Sequence, residues 1–183
     1  HRLPSVYLDL EKTLDLGGRK QKSIRQQFNR IERLGLSIEN NYRDIKDIEE
    51  FVRTWSGIDG LYADKYFRNL SGKNTHFFRN NWHKECINIF IYGKEKLLAY
   101  VVLSPPNRNG FSNYILGKAL YKEINFNGLS EFLDLRLYQK GWGRGVRYIN
   151  LGASFSKDLR DYKNKFAGRN EINEYEGKVF GVK

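Results

Sequence analysis

The chain has no methionine, a single cysteine and only three histidines in 183 residues. One thiol, Cys86, excludes an internal disulfide and agrees with a reducing compartment. Cys86 has no neighbouring base in sequence, so a buried, inert thiol is expected. His76 and His83 flank Phe77, Phe78 and Trp82, yet no cysteine or carboxylate pattern completes a ligand set. Both read as surface or packing histidines, and no metal is expected. No apolar run approaches the ~20 residues of a membrane-spanning helix, and no signal-like apolar segment opens the chain. The expected location is the cytoplasm or a membrane surface. Without an initiator methionine, His1 reads as a tag remnant, a processing scar or the start of an excised domain. Acidic residues are in deficit too, 21 against 32 lysines and arginines, for a net charge of +11. That balance suits an anionic partner such as tRNA, a nucleotide-linked substrate, a coenzyme diphosphate or an acidic lipid surface. It equally suits a charged coat that keeps a tyrosine-rich protein soluble.

What is present is enough for one domain over residues 1–183. Hydrophobic residues make up 40% and aromatics 15%, and a chain of this length buries about 70% of its unfolded surface. Val6 to Leu10 alternates as a strand. After Gly17-Gly18, a helix is predicted from Arg19 to Leu34, with Ile24, Phe28 and Ile31 as its apolar stripe and Gly35 as its stop. Its remaining faces carry Lys20, Lys22, Arg25, Arg30 and Arg33. Leu36 to Tyr42 reads as a strand, and Asp44 as the N-cap of a helix from Ile45 to Trp55. Shorter helices are predicted over Tyr62 to Leu70 and Thr75 to Trp82.

The second half is richer in strands. Cys86 to Tyr92 and Leu97 to Ser104 form a hairpin across Gly93-Lys94-Glu95-Lys96, and Phe111 to Leu120 returns after Pro105-Pro106. A helix follows Asn127-Gly128, with Leu129, Phe132, Leu133 and Leu137 buried. Gly141-Trp142-Gly143-Arg144-Gly145 follows that helix, so it reads as a C-cap and turn and not as a phosphate loop. Val146 to Leu151 is a strand, Ser156 to Phe166 a helix and Glu174 to Val182 a closing strand. No repeat or low-complexity tract interrupts this order.

Three blocks carry a likeness. Leu8-Asp9-Leu10 with Arg19 to Arg25 and Glu32 to Leu36 forms one, and Lys96 to Val102 the second. The third and most specific runs from Gly128 through Asn150-Leu151-Gly152 to Tyr162-Lys163 and Lys165-Phe166. Blocks and order together resemble the GNAT acyltransferase fold, an α/β (mixed α+β) class with a mixed, mostly antiparallel central sheet flanked by helices. In that fold the sheet splays between central strands and admits an acyl donor. More narrowly, the chain resembles FemAB-like aminoacyltransferases and the catalytic domain of lysyl-phosphatidylglycerol synthases.

The resemblance implies an acyltransferase that moves an acyl or aminoacyl group from an activated ester or thioester to an amine or hydroxyl. It makes Lys163 the cation for the carbonyl oxygen, with Tyr162 as the other half of the family's Tyr-Lys or Phe-Lys pair. Leu159, Tyr162, Lys163 and Phe166 fall at i, i+3, i+4 and i+7, which sets Lys163 near the apolar face of its helix. A lysine there needs a partner or a function, unless its stem packs over Leu159 and its ammonium snorkels to water.

Coenzyme A-dependent members carry a basic-x-x-Gly-x-Gly/Ala loop for the pyrophosphate. Here Lys122 to Ser130 holds one glycine, which favours aminoacyl-tRNA over acyl-CoA as donor co-substrate, with no permanently bound cofactor. Asn127, Gly128 and Ser130 are the donor-binding candidates. Lys22, Arg25, Arg30, Asn150 and Lys165 are the substrate-binding candidates, although a solvated helix face accounts for the first three and an Asn before a turn caps its own backbone. Asp9 and Asp134 are candidate general bases without a spacing argument. Tyr62, Tyr66, Tyr114 and Tyr121 are candidates for a cleft lining or for core margins. FemAB-like and lysyl-lipid enzymes usually carry two such modules in tandem, so a second GNAT module or a homodimer is the expected partner. The competing reading is a non-catalytic basic module that binds tRNA or an anionic lipid surface.

Overall fold

The computed structural model describes residues 5–17, 21–56, 73–120, 128–153 and 157–167. In chain order these form β1 (Ser5–Asp9), α1 (Leu10–Leu14), α2 (Lys22–Glu32), β2 (Ser37–Glu39) and α3 (Ile45–Ser56). A helix α4 (73–79) and a 3-10 turn (Trp82–Glu85) lead into β3 (Ile87–Gly93), β4 (Lys96–Leu103) and β5 (Phe111–Ala119). The order closes with α5 (Leu129–Gly143), β6 (Tyr148–Ala153) and α6 (Lys157–Ala167). The helix expected over Tyr62 to Leu70 and the strand over Glu174 to Val182 lie outside the described residues, as do Arg19, Lys20, Tyr62, Tyr66, Tyr121 and Asn127.

One six-stranded sheet, ordered β1-β6-β5-β4-β3-β2, organises the molecule. Every neighbouring pair is antiparallel except β5 and β6. Alternation along β3 and β4 sends side chains to two separate cores. Ile87, Ile89, Ile91, Val101 and Leu103 meet α5 on one face, with α2 packed against α5. Phe90, Tyr92, Tyr100 and Val102 meet Ile48, Phe51 and Val52 of α3 and Phe78 of α4 on the other.

Local chemistry explains where the elements start and stop. Asp9 Oδ1 accepts from the backbone N–H of Glu11 at 3.1 Å and of Lys12 at 3.4 Å, capping α1, a short helix the hydrophobic pattern does not announce. Asp44 Oδ1 likewise accepts from Lys46 N at 2.9 Å at the start of α3. Gly35, at φ +64°, ends the turn after α2 in the left-handed conformation expected of a C-terminal stop. The strand expected over Leu36 to Tyr42 is shorter, because Tyr42 leaves the sheet edge to pack its ring against Phe78, His83 and Phe90.

Helix α5 lies between the sheet and α2, so it is buried around most of its circumference. Leu129, Phe132, Leu133, Leu135, Leu137 and Tyr138 are all buried, and so are Glu131 and Asp134. It runs on through Gly143, later than the expected stop at Lys140. Gly141 lies against Leu103 and Val146, where a Cβ would sit at ordinary contact distance, 3.4–3.5 Å. The turn follows at Gly145, with φ +86°.

Candidate active site between the parted strands

Strands β5 and β6 pair only from Phe111 to Asn113 against Tyr148 to Asn150. Beyond that point β5 stays paired with β4, and β6 reaches Ala153 paired with β1. Each strand keeps its outer neighbour and loses the inner one, so the sheet parts at the only parallel junction among the described residues. A bulge sits beside the parting: Val102 faces Leu116 and Leu103 faces Tyr114, leaving Ile115 over. An extra residue reverses the alternation. Tyr114 therefore packs with the α5 core while Leu116 packs with the α3 core.

Five side chains from α5 and α6 gather next to this opening. Lys163 is 7% exposed, and its ammonium donates to the carbonyl of Gly152, near the end of β6, at 2.9 Å. Burial pushes its pKa down to about 8, because an amine in a low-dielectric site holds its proton less well. Tyr162, the preceding residue, donates from its phenol to Asp134 Oδ2 at 2.7 Å. Asp134 Oδ1 accepts from the Tyr114 phenol at 2.9 Å. Lys165 pairs with the buried Glu131 at 2.9 Å.

Electrostatics in this cluster follow from burial. Asp134 is 4% exposed, and desolvation raises its pKa to about 7; the two phenol bonds pull it down, and the Glu131 charge adds to the rise. Burial first, then the Asp134 charge, holds the Tyr114 and Tyr162 phenols well above their ordinary range. Both phenols therefore remain donors throughout the neutral range. Gly117 makes room for this arrangement: a Cβ there would lie 2.0 Å from the Tyr114 hydroxyl.

The other residues singled out from sequence are more dispersed. Asn150 Oδ1 accepts from Gly152 N at 2.8 Å, a local cap at the end of β6. Gly128, at φ +117°, caps α5 and presses on Gln27 of α2; Ser130 is half-buried two residues on. On α2, Arg25 donates to the carbonyl of Leu16, whereas Lys22 and Arg30 are exposed. Asp9 is occupied as a helix cap. Cys86 is half-buried, its thiol donating to the Trp82 carbonyl at 3.4 Å. A surface concavity of about 500 Å³, with Asp47, Glu50, Lys94 and Glu95 in its lining, lies between α3 and the β3–β4 turn and includes none of the cluster. Among the described residues no group of three His, Cys, Asp or Glu is placed to hold a metal, and no helix is long and apolar enough to cross a membrane.

The sequence pattern did not reveal the link from Asp134 to two tyrosines, nor the Glu131 partnership. The available signal was Glu131, Asp134 and Tyr138 at i, i+3 and i+7, a polar stripe on an otherwise apolar helix.

The family model described as "Phosphatidylglycerol lysyltransferase, C-terminal" matches residues 4–175. The chain belongs to this family. No curated protein sequence matches it. Solved structures share its fold at low identity. L-PGS from Bacillus licheniformis is 19% identical with a TM-score of 0.66, covering 91% of this chain and 56% of that one. FemX is 10% identical with a TM-score of 0.59, covering 89% and 58% respectively. A ribosomal-protein-alanine N-acetyltransferase from Brucella melitensis biovar Abortus 2308 is 14% identical with a TM-score of 0.53, covering 81% of this chain and 100% of that one. The fold is the GNAT-like one expected from the order of elements. The chain spans little more than half of L-PGS or FemX and the whole of the acetyltransferase.

Proposed function

We propose that the chain is an aminoacyltransferase module that moves an aminoacyl group from its ester on tRNA to a hydroxyl of an anionic lipid. Phosphatidylglycerol is the acceptor in the family's description. Acyl transfer is the coarse class to which that description and the GNAT-like neighbours belong. The aminoacyl donor and the lipid acceptor are the finer part of the proposal.

One observation carries it: a buried lysine whose ammonium bonds a carbonyl at the end of β6, beside the opening between β5 and β6. In this reading the acceptor oxygen attacks the ester carbonyl carbon and loses its proton as the new C–O bond forms. The carbonyl oxygen becomes an oxyanion facing Lys163. Collapse then breaks the bond to the tRNA ribose oxygen, which leaves with a proton. A fixed donor aimed at such an oxygen contributes about 3–4 kcal/mol. Exposed Lys22 and Arg30 on α2 suit phosphate contacts, where neutralisation dominates affinity. Gly128 and Ser130, with Asn127 before them, remain the candidates for the donor side, and a second module or a second copy remains the proposed partner.

The test is transfer of radiolabelled lysine from lysyl-tRNA to lipid in phosphatidylglycerol vesicles, with acetyl-CoA as donor in a parallel arm. Lipid labelling by the wild type and a loss of about 10²- to 10³-fold in Lys163→Ala are expected. A variant as fast as the wild type overturns the assignment. The exposed basic side chains of α2 favour one other reading, a non-catalytic module that holds tRNA. It requires no transfer by the wild type and loss of tRNA retention in the Lys22→Glu, Arg30→Glu double variant.

A further inference from the structure

Among the described residues, Asp134 is the carboxylate that joins both sides of the opening. It projects from α5, accepts from Tyr114 of β5 through Oδ1, and accepts from Tyr162 of α6 through Oδ2. Tyr162 is followed by Lys163, whose ammonium reaches back to β6. Helix α6 is a rigid element, so whatever fixes Tyr162 also fixes the backbone that carries Lys163. We propose that ionised Asp134 is a positioning residue of the transfer site, a clamp between Tyr114 and Tyr162 that sets the place of the Lys163 ammonium at the mouth of the parted strands. This rests on the reading of Lys163 as the cation for the carbonyl oxygen.

The hydrogen-bond inventory makes the clamp depend on charge. An ionised carboxylate accepts at both oxygens, whereas the neutral acid carries a proton of its own and becomes a donor at one of them. Bonds to the ionised form are also the stronger ones. The titratable and charged groups around Asp134 are Glu131 and Tyr138 on its own helix, Tyr114 on β5, and Tyr162 on α6, with Glu131 paired to Lys165 of α6. Burial raises Asp134 to about 7, so the clamp closes as pH rises through neutrality. Gly117 is part of the device, since any side chain there would displace the Tyr114 hydroxyl.

Asp134→Asn keeps the shape but leaves one acceptor oxygen and puts an N–H₂ donor where the other was. In the lysyl-tRNA and phosphatidylglycerol assay from pH 5.5 to 8.5, the wild type should gain turnover through about pH 7. Asp134→Asn should lack that acid limb and lose about 10- to 100-fold in kcat at pH 8, with KM for the donor within about threefold. Tyr162→Phe should lose part of the same kcat, and Asp134→Glu should restore part of the limb. Near-ultraviolet absorbance gives a readout independent of turnover: the wild-type tyrosine spectrum should change through about pH 7 as the phenol bonds to Asp134 strengthen. Asp134→Asn should abolish that change. An intact limb and kcat in Asp134→Asn, or a change in KM alone, overturns the clamp and leaves the Lys163 reading standing. A Lys163→Ala variant as fast as the wild type overturns both.

Discussion

The two faces of the sheet spend their aromatic hydroxyls differently. On the α3 face, Tyr92 donates to Asp47 at 3.0 Å and accepts from Arg43 N at 3.0 Å, with Asp47 only half-buried at the rim. Tyr100 accepts from Asn74 Nδ2 at 3.4 Å. Phe51, Phe78, Phe90 and Tyr100 fill the interior of that face with edge-on and tilted ring pairs, each contributing about 0.5–1.5 kcal/mol beyond burial. The titratable side chains on that face are spread out: buried His83 packs against Tyr42 and Phe78, and half-buried Lys118 sets its ammonium over the Trp55 ring, where burial lowers its pKa to about 7. On the α5 face the phenols of Tyr114 and Tyr162 end on a buried carboxylate, with a buried lysine next in sequence. Both faces come from the same strands. They diverge because β5 bulges and leaves β6 on one side only, so polar groups collect where backbone pairing stops. The α3 core is filled mainly by rings, whereas the α5 core holds a buried carboxylate and a buried ammonium.

Substitutions on the two faces should therefore have effects of different kinds. Phe78→Ala removes a ring with no exposed surface. It should cost about 3–5 kcal/mol of unfolding free energy, read by urea denaturation, with turnover per folded molecule unchanged. Lys163→Ala should do the reverse, losing about 10²- to 10³-fold in transfer at a stability equal to the wild type or above it.

Asp134→Asn comes next. The folded-state pKa near 7 exceeds the ordinary carboxylate value of 3.8, so the folded form holds a proton that the unfolded form has released between those pH values. Stability therefore falls as pH rises from about 4 to 7. Asp134→Asn removes this slope. Net of the lost acceptor, it should be more stable at pH 7.5 by on the order of 2 kcal/mol. Melting temperatures across pH 4–8 check this, and a slope surviving in the variant would show that the charge lies elsewhere.

Gly117→Ala should cost about 1–3 kcal/mol by overpacking and lower turnover through Tyr114, whereas Gly143→Ala, in open space, should do neither. The smallest effect belongs to the α3 face. Burial, and then the Lys84 charge, lowers the pKa of His83, whose Nδ1 has no hydrogen-bond partner among the described residues. Below about pH 6.5 the unfolded chain takes up a proton that folded His83 refuses, so in the Asp134→Asn background, where the larger opposite slope is gone, melting temperature should fall slightly from pH 7 to pH 5. His83→Gln should flatten that fall.

Turnover as a function of pH joins two of these groups. It should rise through about 7 as Asp134 ionises and fall through about 8 as Lys163 loses its proton, leaving a narrow optimum between them.

Periodicity was sufficient for α2, α3, β3, β4 and β5, because a 3.6-residue stripe or a run of β-branched and aromatic residues is a local property. The order of elements and the Asn150-Leu151-Gly152 and Tyr162-Lys163 blocks were enough to point to the family and to choose Lys163. Position within the helix explains why: a lysine on the stripe of Leu159 and Phe166 is conspicuous in one dimension. Asp134 was visible only as an acid among leucines. Its partners lie 20 and 28 residues further along or back in the chain, and no local pattern couples them. The bulge at Ile115 hid Tyr114 as well, since simple alternation would place it on the same face as Leu116. Local preferences thus set which segments are helix or strand, and where a lysine would be buried. The parting of β5 from β6, the carboxylate between two phenols and the lysine's carbonyl partner came from packing. Each is a contact between distant segments, and its free energy exists only once the sheet has brought them together.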